Sequence, residues 1–283
     1  MKKIFTAFIS ACLGCIPLQA ENIYLHSGTP SITWKVKPQA EVGNDVSRLS
    51  DPRYDMSSWV DAVVPGNEFN SYVVAGYENV PKFGDNIHRV DRCMNDRSFW
   101  YRAEFTVPAD YKKELVWLHF NGVNRKADIY LNGALLGTLD GFMHRGRFNV
   151  TDIIDRDGKN ILAVLVHIPR TPLANQGSPN YLSSRGWDWM PYVPGLNSGI
   201  TDKVYLSNTG TATLIDPWIR TDLPTNARAD LSLELEVKNN RAQAEKYIVK
   251  GTITPGDITF EEELRIEAGD TRKIKFDKRY YPQ

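Results

Sequence analysis

Ser98-Phe99-Trp100-Tyr101-Arg102-Ala103-Glu104-Phe105-Thr106-Val107 is the stretch from which the fold can be read. Phe99, Tyr101, Ala103, Phe105 and Val107 share one face of an extended chain, and Trp100, Arg102, Glu104 and Thr106 share the other. Alternation of this kind predicts a strand packed on a core. Downstream, Leu115 to Phe120 predicts a second strand, and Ala127 to Leu139 reads as a hairpin about Asn132-Gly133. Asn-Gly tolerates positive φ at both turn centres, which matches the twist of paired strands. Arg147 to Val150, Ile161 to Ile168 and Lys203 to Leu206 continue the series. Upstream, Ile32, Trp34 and Val36 alternate, and Ala62-Val63-Val64 closes in the turn pair Pro65-Gly66. After a small-residue link, Thr209 to Thr213, strands are predicted at Leu231 to Lys238, Tyr247 to Thr254, Thr259 to Ile266 and Arg272 to Phe276. No amphipathic run is long enough to predict a helix. The architecture expected is all-β, in two sandwiches.

The chain has 283 residues, enough for one large or two ordinary domains with real cores. Its 34 basic and 34 acidic residues balance, which excludes the basic footprint of a nucleic-acid binder. Seven tryptophans and thirteen tyrosines exclude a disordered chain. The first twenty residues differ from the rest: Lys2 and Lys3 precede the apolar run Ile4 to Leu18, which ends in Leu18-Gln19-Ala20. This is the layout of a secretory signal cut after Ala20, and its apolar part is too short to cross a bilayer. Loss of Lys2 and Lys3 leaves a mature charge of 32 − 34 = −2. The rival cut precedes Cys15 in Cys12-Leu13-Gly14-Cys15, where a lipid on Cys15 would hold the protein at a membrane surface. Under the favoured cut only Cys93 remains, so no internal disulfide is expected. The location expected is periplasmic or extracellular.

Chemistry concentrates in Arg185-Gly186-Trp187-Asp188-Trp189-Met190-Pro191-Tyr192-Val193-Pro194-Gly195. Its prolines and glycines forbid a long helix or a central strand, so it is a shaped loop. Indole rings suit the C–H faces of a pyranose, and a carboxylate between them can accept hydroxyl hydrogen bonds. The competing reading has both tryptophans plugging the end of a sandwich and Asp188 capping a turn. Asn67 to Arg97 is a second long connection, polar and irregular, with His88, Arg89 and Asp91; surface ion pairs are the expected role of those three. Asp155-Arg156-Asp157-Gly158-Lys159-Asn160 mimics a calcium loop, but its twelfth position is Val166 instead of Glu, so a turn is expected. No cofactor or metal ligand set is read.

In their order along the chain these segments resemble the N-terminal part of glycoside hydrolase family 2. Phe99-Trp100-Tyr101-Arg102, Ala127-Asp128-Ile129-Tyr130-Leu131-Asn132-Gly133, Phe148-Asn149-Val150-Thr151-Asp152 and Asn160-Ile161-Leu162-Ala163-Val164 are similar to strands of its sugar-binding jelly-roll domain. Gly186-Trp187-Asp188-Trp189 with Asn197-Ser198-Gly199-Ile200 resembles the β-mannosidase and exo-β-glucosaminidase branch. Asp216-Pro217-Trp218-Ile219 resembles the start of the family's immunoglobulin-like domain. The resemblance implies a jelly-roll β-sandwich (galactose-binding-like) at 21–209, then a partial immunoglobulin-like β-sandwich at 210–283. It also implies carbohydrate contact by Trp187 and Asp188, with Trp189 packing.

Family members are retaining glycosidases whose two carboxylates, about 5–5.5 Å apart, sit on a (β/α)₈ barrel of about 250 residues. This sequence has no βα alternation and reaches Gln283 within the second sandwich, so no catalytic residue is assigned. The family's acid/base follows an asparagine; the only Asn-Glu pair here, Asn67-Glu68, lies in a first-domain loop and is set aside as coincidence. The expected function is the non-catalytic part of an exported glycosidase, contacting a β-mannoside or β-glucosaminide. A catalytic barrel is the expected partner if the native chain is longer, with no nucleic acid and no transmembrane helix. The alternatives are a stand-alone carbohydrate-binding module and a structural or adhesion sandwich.

Overall fold

Residues 98–107 become an inner strand of the larger sheet in the computed structural model, which describes residues 22–90, 97–108, 111, 115–141, 143–168, 198–254 and 256–277. The chain begins with β1 (Ile23–Tyr24), β2 (Thr33–Pro38), the single turns α1 (Gln39–Val42) and α2 (Val46–Leu49), β3 (Val60–Asp61) and α3 (Glu68–Val74). It continues through β4 (Phe99–Thr106), β5 (Leu115–Phe120), β6 (Lys126–Leu131), β7 (Ala134–Asp140), β8 (Gly146–Asn149), β9 (Lys159–His167) and β10 (Val204–Thr209). The rest is β11 (Ala212–Thr225), β12 (Arg228–Asn239), β13 (Glu245–Ile253), β14 (Ile258–Ile266) and β15 (Thr271–Asp277).

Two antiparallel sheets, ordered β3-β2-β4-β9-β6-β7 and β1-β10-β5-β8, face each other across the first core. Register explains the core. Val36 lies opposite Tyr101, Tyr101 opposite Val164, and Val164 opposite Ile129, so one row of inward side chains crosses the larger sheet. These residues pack with Leu118, Phe120 and Leu206 of the other sheet. The Asn132-Gly133 turn joins β6 to β7 as expected, with φ of 50° and 87°. Asn132 ties it down, accepting from Ile161 N at 2.8 Å and donating to Ile153 O at 3.0 Å. The calcium-like stretch is a turn whose Asp155 carboxylate accepts from the backbone of Asp157 and Gly158.

Both faces of β4 are buried, more than its alternation requires. Residues 39–59 fold over the outer face, where Leu49 and Trp59 meet Trp100, Ala163 and Leu165. Trp100 Nε1 donates to Gly43 O at 2.9 Å. Arg102, 0% exposed, donates to Leu49 O at 2.7 Å, Asp51 O at 3.0 Å and Glu104 Oε1 at 2.7 Å. A buried guanidinium is tolerable because its donors are met.

The second sandwich stacks β11-β12-β15 on β13-β14. Its core is Leu235, Val237, Val249, Leu264, Ile266, Ile274 and Phe276. β11 begins at Ala212, so the link is shorter than the Thr209 to Thr213 read from small residues. Most of this edge strand escapes periodicity because it is exposed on both faces and bulges between Ile215 and Trp218, where Asp216 has φ of 46°. The helix α3 also departs from the helix-free expectation. At seven residues it is too short for a periodic signal, and Asn67 caps it by accepting from Asn70 N at 2.7 Å.

Candidate functional site

The connection carrying Trp187 and Asp188 runs between Ile168 and Ser198 in the chain. Trp187 and Asp188 lie outside the described residues, as do Arg185, Trp189, Tyr192, Asp91 and Cys93. The chain on either side of that connection is described. Before it, Ile168 N donates to Ser98 Oγ at 2.9 Å, and His167 Nε2 lies 2.7 Å from Asp128 Oδ2. After it, Ser198, Gly199 and Ile200 are buried and clamped from three sides.

The clamp is built mostly of backbone. Gly66 N donates to Ile200 O at 2.8 Å, and Glu68 N donates to Ser198 O at 3.3 Å. Gly199 and Asn124 exchange two bonds of 2.9 Å in an isolated antiparallel bridge. Gly199 has φ of +142°, and a Cβ there would lie 2.6 Å from Gly66 O, 2.7 Å from Asn67 Cα and 3.0 Å from the Tyr101 hydroxyl. Only glycine fits this passage.

One side chain crosses from α3 to this segment. Ser198 Oγ donates to Glu68 Oε1 at 2.5 Å. Glu68 is 1% exposed, and burial pushes its carboxyl up to about 8, against the pull of the Ser198 hydrogen bond. Its other oxygen and the buried Tyr101 hydroxyl have no hydrogen-bond partner among the described residues. Burial also raises the Tyr101 phenol and pushes Tyr72, beside Glu41, up to about 12. Near neutral pH Glu68 is therefore an enclosed, protonated acid.

Asn67-Glu68 thus has a structural use, in a cap and a buried carboxyl. The available signal was the cap: Asn67 after Pro65-Gly66, with an acid in the first turn, is a helix-start pattern. Nothing local pointed to Ser198. Arg89 pairs with Asp85 at 2.9 Å, the surface ion pair expected of it, and His88 is exposed. Among the described residues, no three His, Cys, Asp or Glu side chains gather as a metal site requires. No helix among them is long and apolar enough to cross a membrane.

Two antiparallel sheets of six and four strands facing across one core define a β-sandwich module. The chain belongs to the glycosyl hydrolase 2 galactose-binding domain-like family, whose model matches residues 34–202. It is 27% identical over 256 residues to an exo-β-D-glucosaminidase of Streptomyces avermitilis, a match covering 88% of this chain and 27% of that protein. It is 29% identical over 240 residues to a mannosylglycoprotein endo-β-mannosidase of Lilium longiflorum, covering 78% and 25% respectively. Its fold is that of the exo-chitosanase of Amycolatopsis orientalis, with a TM-score of 0.74 at 23% identity over 90% of this chain and 28% of that one. The chain therefore spans about a quarter of the length of these relatives. It corresponds to a non-catalytic N-terminal portion of such enzymes.

Proposed function

We propose that this chain supplies carbohydrate contacts to an exported glycosidase acting on terminal β-mannosides or β-glucosaminides. The observation that carries this reading is the family match over residues 34–202, which includes Trp187 and Asp188. Relatives named for glucosaminidase and mannosidase activity support the sugar class. Trp187 packs on a ring face, and Asp188 accepts from sugar hydroxyls. Residues 1–20 direct export, 21–209 form the sugar-binding domain, and 210–283 form part of an immunoglobulin-like domain.

Hydrolysis belongs to a catalytic barrel when one is joined to this chain. Val74 at the end of α3 and Tyr77, Val80 and Phe83 on the connection after it lie exposed, apolar side chains suited to contact with another domain. The intact mass of the protein from its own cell tests that partner: the chain alone is 32.1 kDa, and a barrel adds about 250 residues.

Sugar contact is tested by titrating aryl β-mannoside and aryl β-glucosaminide into the 283-residue chain and following ligand NMR signals. Binding near millimolar is expected, about −4 kcal/mol, and Asp188→Ala should weaken it at least tenfold. Equal binding by wild type and Asp188→Ala removes Asp188 from the site. Turnover abolished by one carboxylate substitution overturns the non-catalytic reading.

A further inference from the structure

The strongest unexplained feature is the enclosed carboxyl at the start of α3. A glutamate at the first position of a helix usually faces water and favours the helix dipole. Glu68 instead points into the protein and meets Ser198, 130 residues further on. We propose that the neutral Glu68 carboxyl is a positioning residue: it fixes Ser198–Ile200, the foot of the connection carrying Trp187 and Asp188, and loss of its proton frees that foot. The consequence for sugar binding rests on the functional reading above; the consequence for the foot does not.

Ile200 anchors the far end of the foot in the first core, and Ser198 supplies its described side-chain hydrogen bond. Gly199 has no side chain, and its backbone passes between Gly66–Asn67 and Tyr101 with no spare room. Its bonds to Gly66, Glu68 and Asn124 are all main-chain bonds. The Ser198–Glu68 bond is the one described side-chain bond that pins this segment to α3. The titratable groups facing Glu68 are Tyr101 from β4 and Tyr72 from α3 itself; Glu41 and Arg97 act on Tyr72. No described cation offsets a charge on Glu68, whose shift comes from burial against hydrogen bonds alone. Ionisation would place a negative charge in an enclosed site whose second oxygen and neighbouring phenol lack partners. The relief available is for the segment around Ser198 to move off α3 and let water in.

The consequence differs from that of an ordinary buried hydrogen bond, which is indifferent to pH. The hold on the foot weakens as pH rises from the ordinary carboxyl range toward about 8 and levels off above that. A glutamine at position 68 keeps the shape and a donor–acceptor group but cannot ionise.

The test is amide hydrogen exchange by mass spectrometry on the full 283-residue chain between pH 6.5 and 9.5, with each rate corrected for intrinsic pH dependence. Two peptides are compared, one spanning Ser198–Ile200 and one within β4 as the internal reference. In wild type, protection at Ser198–Ile200 should fall at least tenfold between pH 6.5 and about 8 and level off above that, while β4 stays protected. In Glu68→Gln the fall should vanish. Ser198→Ala should loosen the foot at all pH values and shrink the step; it stands in for Glu68→Gln should that variant fail to fold. A flat wild-type profile, or β4 opening together with the foot, overturns the proposal. Aryl mannoside titrations on the same samples separate the two readings. An exchange step without sugar binding at any pH sustains the positioning role and removes the sugar site. Sugar binding without an exchange step does the reverse.

Discussion

The two sandwiches differ in how fully each closes over its core. In the first, Tyr101, Leu118, Phe120, Ile129 and Leu206 are sealed between the sheets, and residues 39–59 add a further layer outside β4. In the second, β12 is buried toward Asn239 but only partly covered around Leu231 and Leu233. A cleft of about 840 Å³ opens there between the sheets, bordered by Ile219, Leu233, Ile253, Ile258, Phe260 and Phe276. Apolar side chains of one alternating pattern are therefore sealed at one end of a strand and wet at the other. Alternation states which face is apolar; the number of strands available to cover that face decides what the burial contributes.

The largest effect is expected at Arg102. Arg102→Ala removes a buried charge, takes the side-chain donor from the Leu49 carbonyl and leaves Glu104 with Lys159 and the Asp51 carbonyl with Tyr54 N, at a cost of about 3–5 kcal/mol. Urea denaturation followed separately in the two sandwiches should show the loss in the first alone. A parallel loss in the second would merge the two into one cooperative unit.

Core truncation sharpens the contrast. Leu118→Ala should cost about 3–4 kcal/mol in the sealed core, and Leu233→Ala about half that, because Leu233 is only partly buried and borders the open cleft. Equal costs would mean that the second core is as well packed as the first.

Glu68 makes the first sandwich sensitive to pH. Its folded-state carboxyl titrates near 8, above the ordinary 4.5, so between these values the folded protein holds a proton that the unfolded chain has released. Stability should therefore fall as pH rises through this window, by roughly 3 kcal/mol at pH 7, and level off above about 8. Thermal melts of wild type against Glu68→Gln check this; identical slopes would mean that Glu68 ionises freely.

The smallest effect is at His119, stacked on Tyr205 with ring centroids 4.4 Å apart. Burial, helped by Arg147, lowers its imidazole from 6.5 to about 4. The unfolded chain takes up a proton first, so stability should slip as pH falls from 6.5 toward 4. His119→Gln should flatten that part of the melt profile.

Much of the fold was legible because a strand with one buried face carries a period of two. Phe99 to Val107, Leu115 to Phe120 and the Asn132-Gly133 hairpin are matched by β4, β5 and the β6–β7 pair within a residue or two. The elements that escaped lack that signal. β11 is exposed on both faces and is defined by its pairing with β12, while α3 is set by a cap and one turn of packing. The site divides in the same way. Trp187 and Asp188 were singled out by residue type and by the family resemblance, and they lie outside the described residues. Ser198, Gly199, Tyr101 and Glu68 were not legible as a group, since their roles depend on neighbours brought together from distant parts of the chain.

By itself the sequence determined the all-β character, the principal strand faces and the family to which the chain belongs, because these depend on local alternation and motif order. Only the tertiary structure decided that Arg102 is sealed beneath residues 39–59, that the second sandwich gapes, and that Glu68 is an enclosed acid holding Ser198. Each of those depends on the dielectric and hydrogen-bonding surroundings of a side chain. Those surroundings are made by residues remote in sequence, which folding alone brings together.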